Sequence, residues 1–516
     1  MYPATYAQKT PDKPAVVMAG SGRVVTYREL DEHSARFARV LYDAGLRRGD
    51  VLAMLSDNAA ECLELYWAAI RSGLYITAIN RHLTPEEVAY IVVDSGARAL
   101  VVSASQKDVA EAIVPLTAGV EHRYAFGGDV AGHEDYAAAL AAADEPLGDQ
   151  PRGAEMLYSS GTTGRPKGVR LPLPTHQVDR PDLLVPLFQK MYGIGPEDVY
   201  LSPGPIYHTA PLRWCGALQS VGATVVVMEK FDSEKALAAI ERHRVTVAQV
   251  VPTMFVRMLK LPAETRERYD VSSLRVAVHS AAPCPADVKR EMIDWWGPII
   301  HEYYASTESN GATFIDTAGW LRKPGSVGCS ALGTVRICDD AGGELPRGEV
   351  GLVYFERDEL PFEYHNDPEK TRAAQHPEHP NWTTVGDIGY VDDEGYLFLT
   401  DRKSFMIISG GVNIYPREVE DVLTLHPKVY DVAVIGTPDA EMGEQVKAVV
   451  QPAAGVETGP ELERELIDYV RERIAHYKVP RSVDFVGALP RTPSGKLVKR
   501  ALRERYLAPS SPRPRA

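Results

Sequence analysis

The stretch that decides how this chain is read is Tyr158-Ser-Ser-Gly-Thr-Thr-Gly-Arg-Pro-Lys-Gly168. Glycines there let the backbone turn sharply and come close to a ligand, because no Cβ intervenes. Successive N–H groups in such a turn form a concave anion site, to which the Ser and Thr hydroxyls add donors. Lys167 adds a full positive charge. The physical reading is a loop that holds a polyphosphate. It departs from the Walker pattern, in which Ser or Thr follows Gly-Lys directly; here Gly168 follows Lys167. It also lacks the Gly-x-Gly-x-x-Gly spacing of dinucleotide sites. A solvated turn is the plainer alternative, and the whole composition is more specific than that.

Working outward, the chain has 516 residues. At about 150 residues per domain, that length suggests roughly three compact units. Apolar content of 45% and charged content of 24% are those of a soluble globular protein. A net charge of −14 argues against nucleic acid or anionic membrane as a partner, so an anionic cofactor needs a local basic patch. No apolar run approaches the roughly 18 residues of a membrane span. The first residues lack a basic head followed by an apolar core, so no secretory signal is visible and a cytoplasmic protein is expected. Cys62, Cys215, Cys284, Cys329 and Cys338 are scattered without metal-ligand spacing, which implies a reducing compartment and buried thiols.

Apolar β-branched runs at Ala223–Met228, Leu274–His279 and Val432–Ile435 alternate with helical patterns such as Asp232–His243. That alternation is the mark of an α/β core. Between Gly328 and Glu356 the pattern changes to short strands broken by Gly and Pro, as in a small β-rich unit. The polar segment Thr400-Asp-Arg-Lys-Ser-Phe405 is the best linker candidate. Beyond it come strands at Val446–Val450 and Ser482–Val486. An amphipathic helix is expected from about Glu461 to Ile474, with Leu462, Leu466, Tyr469 and Val470 on one face. A last helix is expected over Leu497–Leu507. The tail from Ala508 to Ala516, rich in Ser, Pro and Arg, reads as disordered.

Other stretches carry chemistry. Glu302-Tyr-Tyr-Ala-Ser-Thr-Glu308 ends in a carboxylate suited to a hard cation. In Trp382-Thr-Thr-Val-Gly-Asp-Ile-Gly389, Asp387 can accept from vicinal hydroxyls. Pro205-Ile-Tyr-His-Thr-Ala210 and Ala281-Ala-Pro-Cys284 lie between these and the loop. Phe405-Met-Ile-Ile-Ser-Gly-Gly-Val-Asn-Ile-Tyr-Pro416 and Pro490-Arg-Thr-Pro-Ser-Gly-Lys-Leu-Val-Lys499 follow. In this order, over nearly the whole chain, the set resembles the adenylate-forming superfamily, in its acyl-CoA synthetase or fatty-acid–CoA ligase branch.

The resemblance implies an α/β fold: two α/β-sheet subdomains and a small β-barrel subdomain in a large domain over 1–400, a hinge over 401–405, and a mobile α+β lid over 406–507. It implies ATP, Mg²⁺ and coenzyme A. By that likeness Ser159, Ser160, Gly161, Thr162, Thr163, Gly164 and Lys167 hold the phosphates. Ala281, Ala282, Pro283, Tyr303, Tyr304, Ala305 and Ser306 line the nucleotide site. Tyr304 stacks on adenine, Thr307 meets the α-phosphate, Glu308 holds Mg²⁺, and Asp387 with Arg402 binds ribose. Lys496 reaches the carboxylate from the lid. Ser409, Gly410 and Gly411 let the pantetheine arm pass. His208, Trp214, Tyr303, Ala305 and Gly311 line the acyl pocket, small residues at the last two keeping it wide.

The family's hinge residue is usually Asp or Lys, whereas this chain has Ser404. The expected reaction joins a hydrophobic carboxylic acid to coenzyme A through acyl-AMP. The alternatives are an enzyme of one half-reaction, transfer to a carrier protein, luciferase-like oxidation, or a nucleotide-binding regulator. A fatty acid, an aryl acid and an alicyclic acid all suit the pocket. Arg471, Arg473, Lys478, Arg481, Lys499 and Arg500 could meet the phosphates of coenzyme A or simply coat solvated helices. The proline-rich segment Leu171–Tyr200 is unusual.

Overall fold

Strands whose residues are apolar without alternation must be covered on both faces, and here they are. Val51–Leu55 and Tyr75–Ile79 are buried at every position and pair in parallel. The computed structural model describes residues 2–143, 145–159, 166–402, 405–409, 412–439, 442–491 and 497–507. Within them the chain forms a mixed α/β body followed by a smaller α+β unit.

The first sheet has eight strands and centres on Val51–Leu55, flanked by Tyr75–Ile79 and Ala97–Ser103. Its far side continues through Ala154–Ser159 and Lys167–Arg170. The second sheet has fourteen strands. Its parallel part is Pro14–Met18, Thr224–Val227, Val199–Ser202, Val247–Val250, Val276–His279 and Ile300–Ala305. Past Ala312–Ile315 the pairing turns antiparallel through Ser326–Leu332 and Leu397–Arg402 into Asp387–Val391, Gly351–Glu356 and Thr334–Cys338. These last strands enclose Val327, Ile337, Val353, Phe355 and Leu397, and form the small β-rich unit.

Local signals set the helix ends. Thr26 and Glu29 form a capping box for Tyr27–Asp43. Asp232 caps Ser233–His243, accepting from the Lys235 N–H. The segment 171–200 contains a helix, Leu184–Tyr192, stopped by Gly193 at φ 61°.

The smaller unit has a five-stranded sheet whose long hairpin pairs Val429–Asp439 with Gly443–Pro452. Helices Pro416–Thr424, Pro460–Arg471 and Lys499–Leu507 accompany it. Leu462, Leu466 and Val470 are buried as expected, while Tyr469 is only half-buried and meets the ring of His426 edge-on. The expected linker begins inside structure, since Thr400–Arg402 complete the strand Leu397–Arg402. The units touch: Lys260 Nζ donates to the carbonyls of Val429 and Tyr430, and Arg417 Nη1 to that of Leu399. All five thiols are free; Cys329 is half-exposed and the other four are buried.

Candidate active site

The loop that opened the reading joins two antiparallel strands, with Tyr158 opposite Gly168 and Ser159 opposite Lys167. Its central residues Ser160, Gly161, Thr162, Thr163 and Gly164 lie outside the described residues, as do Ser404, Gly410, Gly411 and Lys496. Lys167 projects over the ring of Tyr364, its Nζ 4.9 Å from the centroid. Burial, then Lys370, pushes its ammonium below the ordinary lysine range, against the pull of Glu308.

Parallel strands of an α/β sheet present their carboxyl ends to a ligand. Here Val276–His279 runs into Ser280 to Pro283, and the adjacent Ile300–Ala305 runs into Ser306 to Glu308. Two non-glycine residues at these ends have left-handed backbone, Ala281 at φ 72° and Ser309 at φ 52°. Such conformations cost of order 1–3 kcal/mol each and gather at functional sites. Beneath the two ends is a buried charged group. Lys289 Nζ lies 2.7 Å from Glu302 Oε2, and His279 Nε2 is 3.4 Å from the same oxygen. Burial opposes ionisation of Glu302, yet the charge and hydrogen bond of Lys289 hold its carboxyl below the usual range. Burial drives His279 down to about 3, so it is neutral.

The sequence motifs converge. Thr307 Oγ1 is 3.2 Å from Thr209 Oγ1, which places the threonine motif against the residue after His208. His208 stands at the N-cap of helix Thr209–Ser220. Glu308 is buried and accepts from Tyr364 OH at 2.8 Å through Oε1. Tyr304 OH donates to Asp387 Oδ2 at 2.5 Å. Asp387 opens its strand with its Cα opposite that of Arg402. No cluster of three His, Cys, Asp or Glu with metal-ligand geometry occurs among the described residues. Glu308 alone fits Mg²⁺ that keeps most of its ligands from water and phosphate, as this ion commonly does.

A cavity of about 950 Å³ opens beside these groups. Ser159, Lys167, His208, Trp214, Ala281, Tyr303, Ala305, Ser306, Thr307, Glu308 and Gly311 all line it. Ala282, Pro283, Tyr304 and Asp387 are not part of its wall. Trp214 is 1% exposed and packs against Phe188 at 4.3 Å and Tyr192 at 5.2 Å. Gly311 has a further reason to be glycine. A Cβ there would stand 2.0 Å from Phe355 Cδ1, so the close approach of Phe355 requires glycine.

Sequence reasoning assigned no role to Tyr364, Arg213, Glu155 or Phe188, which also line the cavity. The unusual composition of 171–200 was the available signal for one wall. The basic residues of the smaller unit are mostly spent at home. Arg471 pairs with Asp468, Arg473 lies 3.6 Å over Tyr469, Lys478 pairs with Glu418, and Lys499 with Glu420 at 2.8 Å. Cys284 packs in a core with Trp296, and burial raises its thiol far out of the reactive range. Ser409 ends its strand opposite Val412 and Gly443.

Comparison with known proteins gives the same picture over the full length. The family profile described as AMP-binding enzyme matches residues 4–363, and that of the AMP-binding enzyme C-terminal domain matches 418–496. A feruloyl-CoA synthase of an Amycolatopsis species is 34% identical over 511 residues, 98% of each chain. The long-chain-fatty-acid–CoA ligase FadD13 of Mycobacterium tuberculosis is 34% identical over 496 residues, covering 94% of this chain and 93% of its own. The ATP-bound crystal structure of MatB from Rhodopseudomonas palustris superposes with a TM-score of 0.82 at 31% identity, over 98% of this chain and 99% of that one. The chain belongs to the AMP-binding enzymes, the adenylate-forming superfamily that contains the acyl-CoA synthetases.

Proposed function

We propose that this AMP-forming acid–CoA ligase activates a hydrophobic carboxylic acid bound in the cavity beside Trp214 and Tyr303, with the following division of labour. A carboxylate is a poor acyl donor because oxide would have to leave. One carboxylate oxygen attacks the α-phosphorus of ATP, the bond to the β-phosphate oxygen breaks, and pyrophosphate departs. The thiol of coenzyme A, losing its proton, then adds to the acyl carbon, and AMP leaves with the former carboxylate oxygen.

The enzyme's contribution is to hold two anions together and to neutralise charge as it develops. Lys167 and the loop before it receive the β- and γ-phosphates, and Thr307 donates to the α-phosphate. Asp387, oriented by Tyr304, accepts from the ribose hydroxyls. Glu308, held by Tyr364, binds Mg²⁺, which would neutralise phosphate charge. His208 faces the acid's carboxylate at the mouth of the cavity. Lys496 arrives from the lid for the first step, and the strand ending at Ser409 borders the thiol's path in the second.

The observation that carries this reading is the meeting of three sequence-distant segments, around His208, around Thr307 and Glu308, and around Tyr364, on the wall of one cavity. The test supplies ATP, Mg²⁺ and a panel of carboxylic acids, and follows pyrophosphate and thioester separately. Both products are expected; pyrophosphate without thioester removes the coenzyme A step. Lys496→Ala should lower adenylation about 10²–10³-fold, the usual effect of one preorganised charge-stabilising donor. Conversion of synthetic acyl-AMP and coenzyme A should survive. Equal loss of both steps in a folded variant refutes the assignment of Lys496.

A further inference from the structure

The cavity wall contains an ion pair that the chemistry above does not use. Arg213 lies on helix Thr209–Ser220, four residues and so about one helical turn after Thr209, whose hydroxyl meets Thr307. Its side chain is 11% exposed and that of Glu155 12%. Both line the cavity. Yet they do not close on each other. Arg213 Nε and Glu155 Oε2 stand 3.7 Å apart, beyond hydrogen-bond reach. Arg213 Nη1 donates to Ser309 Oγ at 2.7 Å, and Glu155 Oε1 accepts from Tyr66 OH at 3.2 Å. No acceptor among the described residues is bonded to Nε or Nη2 of Arg213, and no donor to Oε2 of Glu155.

A guanidinium has several donors and no acceptor, and an ionised carboxylate only accepts. Nearly buried groups of this kind are costly to leave half-satisfied. A ligand group that accepts from Arg213 and donates to Glu155 at once would satisfy both. A hydroxyl does both. A second carboxylate on the acid could not donate to Glu155 and would be repelled by it. An ammonium could not accept from Arg213. The pair is neutral as a whole, so it selects a neutral group. The flanking walls, Trp214, Tyr303 and Phe188, suit an apolar or planar frame around that hydroxyl.

Resting on the adenylation reading above, we propose that Arg213 and Glu155 are specificity-determining residues that recognise a hydroxyl on the acid, about one helical turn from its carboxylate. The substrate class is then a hydroxylated hydrophobic acid, and plain alkyl acids and dicarboxylic acids are poorer substrates.

The experiment measures kcat/KM for pyrophosphate release with matched acids. Each set holds a hydroxylated aryl or alkyl acid, its counterpart with hydrogen in place of the hydroxyl, its methyl ether, and a dicarboxylic acid of equal length. The best hydroxylated acid should exceed its hydrogen counterpart about 10- to 100-fold, the range for a hydrogen bond to a charged group. The methyl ether, which accepts but cannot donate, should fall to the level of the hydrogen counterpart. Arg213→Met and Glu155→Gln should bring that ratio towards unity while KM for ATP is kept, a change that a merely structural role would not produce. If either variant fails to fold, the substrate series on the native enzyme decides alone. Equal rates across every set, or preference for the dicarboxylic member, overturns the assignment and leaves adenylation standing. Absence of pyrophosphate with every acid overturns the adenylation reading and this one with it.

Discussion

Replacing Lys289 by methionine removes one member of a charge pair buried beneath the ends of strands Val276–His279 and Ile300–Ala305. Lys289 has no exposed surface, and its Nζ lies 2.7 Å from Glu302 Oε2. Losing one partner of a buried pair typically costs about 3–5 kcal/mol, because the other charge is left uncompensated. The structure permits a second route to the number. Glu302 can escape its isolation by binding a proton. For a carboxyl with an ordinary pKa of 4.5, protonation at pH 7 costs about 3.4 kcal/mol relative to the unfolded chain. His279, 3.4 Å away, can instead take the proton and pair with the carboxylate. Both escapes become easier in acid. At pH 5 the protonation cost of Glu302 falls below about 1 kcal/mol. Lys289→Met should therefore be destabilised by about 3 kcal/mol at pH 7 and by much less at pH 5. Glu302→Gln added to Lys289→Met should recover most of the loss at pH 7, since no charge then remains to be paired. The measurement is urea unfolding at the two pH values, followed by the emission of buried tryptophan, Trp320 having its ring 4.9 Å from Lys289 Nζ. A loss below about 1 kcal/mol at pH 7, or one equal at both pH values, would refute the argument that this pair is held by charge.

The remaining expectations concern neighbouring groups. His279 is held near 3 against an ordinary 6.5, so the unfolded chain binds the extra proton and stability falls as pH drops through that window. Between pH 7 and pH 5 the loss from this group is about 2 kcal/mol, and His279→Leu should flatten that slope in a urea-midpoint series. Gly311→Ala drives a Cβ to 2.0 Å from Phe355 Cδ1. It should cost about 1–3 kcal/mol, read as a lower melting temperature. Glu308→Gln should lower pyrophosphate release about 10²-fold and raise the Mg²⁺ concentration needed for half activity, with the fold retained by circular dichroism.

What the sequence disclosed follows from what each signal requires. Long apolar runs can only be doubly covered strands, so the α/β core was legible at Thr224–Val227 and Val276–His279. Asp232 marked its helix because a cap side chain acts on the next few residues alone. The polar strand ends were legible for the same local reason: Thr307, Glu308 and Asp387, to which the proposed chemistry is assigned, sit in short polar stretches that no core needs. Contacts across the chain were not. Tyr364 reaches Glu308 from 56 residues away, and Arg213 faces Ser309 from 96 away. The packing of Phe355 against Gly311 was hidden too, because a glycine in sequence does not say which neighbour excludes the Cβ. The basic residues of the smaller unit illustrate the same limit, since only folding brings Lys499 to Glu420 and Lys478 to Glu418.

The placement of charge then separates two tasks within one body. The Lys289–Glu302 pair is buried and in hydrogen-bond contact. It joins Glu302 of strand Ile300–Ala305 to Lys289 of helix Ala286–Trp296, so that the segment beyond the strand end, proposed above to meet the nucleotide, starts from a fixed frame. The Arg213–Glu155 pair lies within ion-pair range but beyond hydrogen-bond reach, and both side chains line the cavity. A closed pair fixes geometry and offers a ligand nothing. An open pair has unspent valences and is costly until a ligand fills it. Recognition of ATP should therefore be insensitive to the identity of the acid, and choice among acids should be sensitive to Arg213 and Glu155. Removing the closed pair should weaken folding and the binding of every nucleotide together. Removing the open one should leave folding nearly intact and alter which acid is consumed.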